Sequence, residues 1–136
     1  MNTTSLSISK RLYELSGWGE RCEVDKMWKQ QGELWSVVDS YQAEDRDGFI
    51  RAGYVPAYTL GELLRKLPRR VGTYDGLELD IDQYYGETTI WRAAYVGMVT
   101  GKINQKLCCT AATPEDAAGL LAIKLLEEGI ITKEKE

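Results

Sequence analysis

Glu78, Asp80 and Asp82 alternate along the short stretch GLELDIDQ. On an extended chain rising ~3.4 Å per residue they form a row of carboxylates with neighbours about 7 Å apart. Carboxylates on strands are what two-metal nucleases use to hold magnesium, which makes a carboxylate-metal hydrolase one reading. Such centres need ligands converging from several elements, commonly with a lysine nearby. The row by itself reads as the wet face of an amphipathic strand, or as an acidic surface for a basic partner.

Two further stretches imitate ligand loops. Aligning Gly48 of EDRDG with the glycine of a calcium loop puts Asp45 and Asp47 at ligand positions. It also puts Ala43 first and Tyr54 twelfth, where a bidentate glutamate is required. GMVTGKI, residues 97–103, is one residue short between its glycines for a phosphate loop. Ile103 stands where a Ser or Thr would hold magnesium. Solvated loop and hairpin turn are the readings that remain.

The chain has no histidine, which removes Ser–His and Cys–His nucleophile pairs and histidine metal ligands together. Of the three cysteines, Cys108 and Cys109 are neighbours that point to opposite sides of a strand, and Cys22 stands alone. The expectation is therefore a protein that is not an enzyme and uses no cofactor and no metal. No stretch has the apolar length of a signal peptide or a membrane span, so a reduced, cytoplasmic protein without a membrane partner is expected.

Arg65, Lys66, Arg69 and Arg70 concentrate positive charge after a leucine-rich segment, where cations complement a helix C-terminus. They are also the residues through which an alternative function, a nucleic-acid-binding module, would contact phosphates. The net charge of −4 and pI near 5.0 argue against that partner. Trp18, Trp28, Trp35 and Trp91, with eight tyrosines, make a heavy aromatic load. Such residues pack cores and sheet faces, and exposed ones anchor protein interfaces.

Local patterns place these residues on elements. Ile8, Leu12 and Leu15 recur at helical spacing before Gly17, giving an N-terminal helix within 1–17. Residues 24–41 read as a hairpin turning at QQGE, with Trp35, Val37 and Tyr41 alternating against Ser36 and Ser40. Residues 43–58 read as a polar connection. Thr59 and Glu62 have capping-box spacing at the head of a helix over 59–67, with Leu60, Leu63, Leu64 and Leu67 on one stripe and Pro68 ending it. Residues 77–112 hold three strands joined by short turns, an antiparallel meander. Thr113 caps a closing helix over 113–129, with Pro114 at its first position and Gly129 after it. Residues 132–136 are a charged tail. The expected fold is a single α+β domain over 1–136, in the order α-β-β-α-β-β-β-α, with helices on one face of an antiparallel sheet.

The closing helix is apolar on two sides. Ala118, Leu121, Ala122 and Leu125 share the face suited to lie on a sheet, while Leu120 and Ile123 fall nearly opposite, among Asp116, Gly119 and Glu127. Either another helix of the chain covers them or a second chain does. Leu120 and Ile123 are therefore the candidate protein interface, to a partner or to a second copy in a homodimer.

Two resemblances follow from these segments. The order helix–three strands–helix, with EDAAGLLAIKLLEEG, is similar to double-stranded-RNA-binding domains. That family has a lysine-rich phosphate clamp where this chain has TPED. SKRLYELSG, PAYTLGELLRKLP and TPEDAAGLLAIKLLEEGI, about a third of the chain, resemble a loose group of small uncharacterised phage and prophage proteins. That resemblance implies a phage or mobile-element origin and a bacterial host cytoplasm, and carries no catalytic residue. The function expected from the sequence is protein binding without catalysis, as a homodimer or a host-interaction factor.

Overall fold

A computed structural model describes residues 2–72, 75–84, 88–97 and 99–131, with side chains at all of these but 75, 78–84, 88 and 89. The helix α1, Leu6–Ser16, stops where Gly17 turns left-handed at φ 72°. Two strands follow, β1 (Lys26–Gln31) and β2 (Leu34–Asp39), paired antiparallel around a two-residue turn in which Gly32 has φ 63°. The expected hairpin is present.

The stretch read as a plain connection contains more structure. A 3-10 turn over Ser40–Ala43 leads into a bridge between Glu44 and Ile50, and β3 (Tyr54–Ala57) then pairs with the far side of β1. Sequence patterning misses β3 because it has four residues and one is Pro56, a residue tolerated only at sheet edges.

Helix α2, Leu60–Lys66, opens on the capping box expected of Thr59 and Glu62: the Glu62 amide donates to Thr59 Oγ1 and the Thr59 amide to Glu62 Oε1. Its stripe is narrower than expected, because Leu63 and Leu67 are buried but Leu64 is exposed. The long meander forms as read, from β5 (Asp75–Tyr84), β6 (Thr88–Gly97) and β7 (Ile103–Ala111), and the two-residue strand β4 (Arg70–Val71) is added along β5. Helix α3, Pro114–Glu127, starts on Thr113, whose hydroxyl accepts from the Asp116 amide.

The fold is α+β, and its strands form two separate antiparallel sheets, in the orders β2-β1-β3 and β4-β5-β6-β7. The hairpin and the meander do not share a sheet. Among the described residues, one buried cluster still runs through both, from Met27 beside the first sheet to Tyr95 and Leu107 in the second, with Leu121 and Leu125 of α3 between helices and strands.

The two-sided helix is resolved within the chain. On one stripe of α3, Asp116 Oδ1 accepts from the Ser5 amide at 2.7 Å, and Glu127 pairs with Arg11 at 3.0 Å. Between them, a Cβ on Gly119 would stand 2.8 Å from Ile8 Cγ2 and 3.0 Å from Thr4 Cγ2. All these partners lie on α1 or just before it, so α1 lies along the stripe 116, 119, 123, 127, and glycine at 119 lets the two backbones approach. Ile123, four residues from both Gly119 and Glu127, is 9% exposed. Strands β6 and β7 and helix α2 take the remaining sides of α3.

Candidate functional site

The expected interface at Leu120 and Ile123 requires correction. Ile123 belongs to the buried core, on the stripe of α3 along which α1 lies, and Leu120 is half-buried. Burying Ile123 intramolecularly gains roughly 1.5–3 kcal/mol that an interface would otherwise have to supply.

The cluster expected of Arg65, Lys66, Arg69 and Arg70 also separates. Pro68 ends the helix, so Arg65 and Lys66 sit in the last turn of α2 while Arg70 enters β4 opposite Gly76. The Arg69 carbonyl accepts from the Leu77 amide, which holds that residue to the meander. Arg65 and Lys66 border one recess together with Trp18, Tyr58 and Leu63. The two arginines beyond Pro68 are not among its lining residues.

The imitation ligand loops are ordinary turns. Asp45 Oδ1 accepts from the amides of Asp47 and Phe49, so its carboxylate closes its own loop, and Gly48 supplies φ 81°. At the second stretch, the Gly101 amide donates to the Gly97 carbonyl and the Gly97 amide to that of Lys102, closing a hairpin. The side chains of Glu78, Asp80 and Asp82 lie outside the described ones; their backbones pair with Ala94, Arg92 and Ile90. Among the described residues no group of three acidic or cysteine side chains is placed to hold a metal ion, and no helix is long and apolar enough to cross a membrane. The three cysteines are free thiols. Burial pushes the Cys109 thiol up to about 11, which suppresses the reactive thiolate near neutral pH.

The aromatic load divides by position. Trp18 is 3% exposed and meets Tyr58 edge-on, with ring centroids 6.4 Å apart. The Tyr58 hydroxyl donates to the Trp18 carbonyl at 2.6 Å, and burial pushes its phenol well above the usual range. Trp28 Nε1 donates to the Thr4 carbonyl, and the Lys10 ammonium lies 4.7 Å from the centre of the Trp35 ring. These rings fasten α1 and its flanks to the first sheet.

Among the described residues, three of the large exposed apolar side chains gather elsewhere, while Leu64, Val99 and Ile130 are scattered singly. Leu34 is 76% exposed, Tyr41 71% and Val37 39%, all on β2 or the 3-10 turn that follows it. Strand β2 is also a sheet edge, paired with β1 on one side and, among the described residues, with no strand on the other. Its alternation sets Val38 on the side of buried Met27, while Val37 lies across from Trp28 on the other. An incoming strand would find apolar neighbours on both faces.

Proteins usually block their free edges. Strand β3 carries Pro56, and β4 has two residues. Strand β7 has Lys106 in its middle, and the Lys106 amide is taken by Asn104 Oδ1 at 3.1 Å. From Leu34 to Asp39, β2 has no proline, lysine or bulge, and it pairs with β1 in unbroken register. Sequence reasoning found the strand through its Trp and Val residues but had no signal that it lay at an edge.

Among the described residues the candidate site is therefore an unpaired strand edge with apolar shoulders, rather than a cluster of reactive groups. Comparison of the chain with family models, with curated proteins and with solved structures finds no match.

Proposed function

We propose that this chain is a non-catalytic binding protein that captures an extended segment of another polypeptide along the edge of β2. The observation that carries the reading is that β2 combines an edge without blocking residues with exposed Leu34, Val37 and Tyr41. Unpaired backbone amides and carbonyls specify a strand as the guest, and pockets beside alternate side chains select its sequence.

Charge favours a different chain over a second copy. Glu33 precedes β2 and Asp39, paired with Lys26 of β1, ends it, and a symmetric antiparallel pairing centred on Ser36 would set Glu33 against Asp39 of the copy. Like charges directly opposite destabilise a strand pair. The matching guest is a short apolar strand with Lys or Arg at its ends.

Panning a displayed library of random peptides, followed by amide hydrogen exchange on the bound pair, tests this. Selected peptides are expected to alternate apolar residues and to slow exchange over Leu34–Asp39. Val37→Lys, which places a charge on the edge, is expected to weaken them at least tenfold with the fold intact. Protection confined to another surface, or undiminished binding by Val37→Lys, refutes the proposal.

A further inference from the structure

The recess beside α2 has a volume of about 200 Å³. Part of its wall is apolar and almost fully buried: Trp18, Val24, Tyr58 and Leu63 are each 6% exposed or less. Two carboxylates also border it, and all four of their oxygens are engaged by the chain. Glu23 accepts from the amides of Gly19 and Arg21, and Glu62 from those of Thr59 and Asp25. The Tyr58 hydroxyl is held by the Trp18 carbonyl.

The cations at the rim are placed differently. Lys66 holds its ammonium 5.6 Å from the centre of the Trp18 ring. Arg65 is exposed and forms no ion pair among the described residues. Its guanidinium presents a planar fork of N–H donors to whatever enters, the geometry that grips a carboxylate through two hydrogen bonds.

The size limits the guest. Pockets for cofactors and drug-sized ligands run from roughly 300 to 1,000 Å³, whereas an apolar cavity of about 150 Å³ already accepts benzene. A single ring or short branched alkyl group fills this recess, with its polar end left at the rim. We propose that the recess binds a small carboxylate with an aromatic or branched apolar body, its ring against Trp18 and Leu63 and its carboxylate on Arg65. This site is distinct from the β2 edge, and its test is independent of peptide binding.

Phenylacetate is the probe, with phenethylamine and inorganic phosphate as the contrasting charge and the contrasting body. In nitrogen-15 spectra of the full chain, phenylacetate is expected to shift the Trp18 indole signal and the Leu63 amide saturably. Phenethylamine and phosphate are expected to give no saturable shift at the same concentrations. Arg65→Ala is expected to weaken phenylacetate about fivefold, the worth of one exposed ion pair. Because Arg65 is exposed, the variant keeps the wild-type spectrum elsewhere, which the same experiment verifies. The proposal is overturned if phenethylamine binds as tightly as phenylacetate, if phosphate alone reproduces the shifts, or if Arg65→Ala binds unchanged. It is equally overturned if no probe produces a saturable shift.

Discussion

Helix α3 and strand β2 both carry apolar side chains on two sides, and the fold treats them oppositely. The second side of α3 is closed from within: Asp116, Gly119 and Glu127 all meet α1 or the residue before it, and Ile123 is buried between them. Strand β2 and the 3-10 turn after it keep Leu34, Val37 and Tyr41 in water, and among the described residues one edge of β2 has no strand beside it. An apolar stripe therefore announces a contact without saying whose.

Mutations at the two places sharpen the contrast. The largest effect is expected from Ile123→Asp, which puts an unpaired charge into the core and costs about 4 kcal/mol or more, enough to leave little folded protein in a urea titration. If the same change yields a stable, folded monomer, the closed reading of α3 fails. Gly119→Ala follows. The added methyl meets Ile8 at 2.8 Å and pushes α1 outward, at a cost of about 1–3 kcal/mol measured by urea midpoint.

The interior side of the contrast also has a pH signature. Tyr95 is fully buried, its hydroxyl donates to the Pro68 carbonyl, and burial raises its phenol from 10.0 to about 12. The folded state thus favours the neutral phenol. Its contribution is complete below pH 10, where the unfolded phenol begins to ionise, and is lost as pH rises to about 12. Tyr95 is expected to contribute of order 2–3 kcal/mol to the fall in stability across that window in unfolding titrations, and Tyr95→Phe makes the fall shallower by that share while the part due to buried Tyr58 stays.

Thr59→Ala removes the cap of α2 and is expected to cost about 1 kcal/mol, read from the thermal midpoint. The smallest effect belongs to the open surface. Leu34→Lys and Val37→Lys are expected to change stability by no more than about 0.5 kcal/mol while altering what binds at β2. A large loss of stability from either would show that β2 is covered after all, and would erase the contrast.

Much of the local structure is written in short-range patterns. Thr59 with Glu62, Thr113 with Pro114, Gly32 in its turn and the alternation from Leu77 to Ile81 each fix an element through neighbours a few residues away. What the sequence conceals is long-range. Nothing local to Tyr54–Ala57 says that a segment containing Pro56 will join β1, and nothing near Arg70 says that it will leave the helix for a strand. That the hairpin and meander occupy different sheets depends on pairings across the whole chain. Gly119 is the instructive case: within its own helix it is only a weak helix former, and its purpose shows once Ile8 is seen against it. The candidate site shared this opacity, because an edge is defined by the strand that is missing beside it.

The hydrogen bond from the Ser5 amide to Asp116 spans 111 positions of sequence. At synthesis rates of roughly 5–20 residues per second, the first helix is made several seconds before the helix that shields it. Throughout that interval the side of Ile8 that later meets Gly119 lacks its cover, although the first sheet already holds α1. A nascent chain stalled ahead of residue 116 should accordingly be a strong client of chaperones, and release of the closing helix should end that dependence in one step.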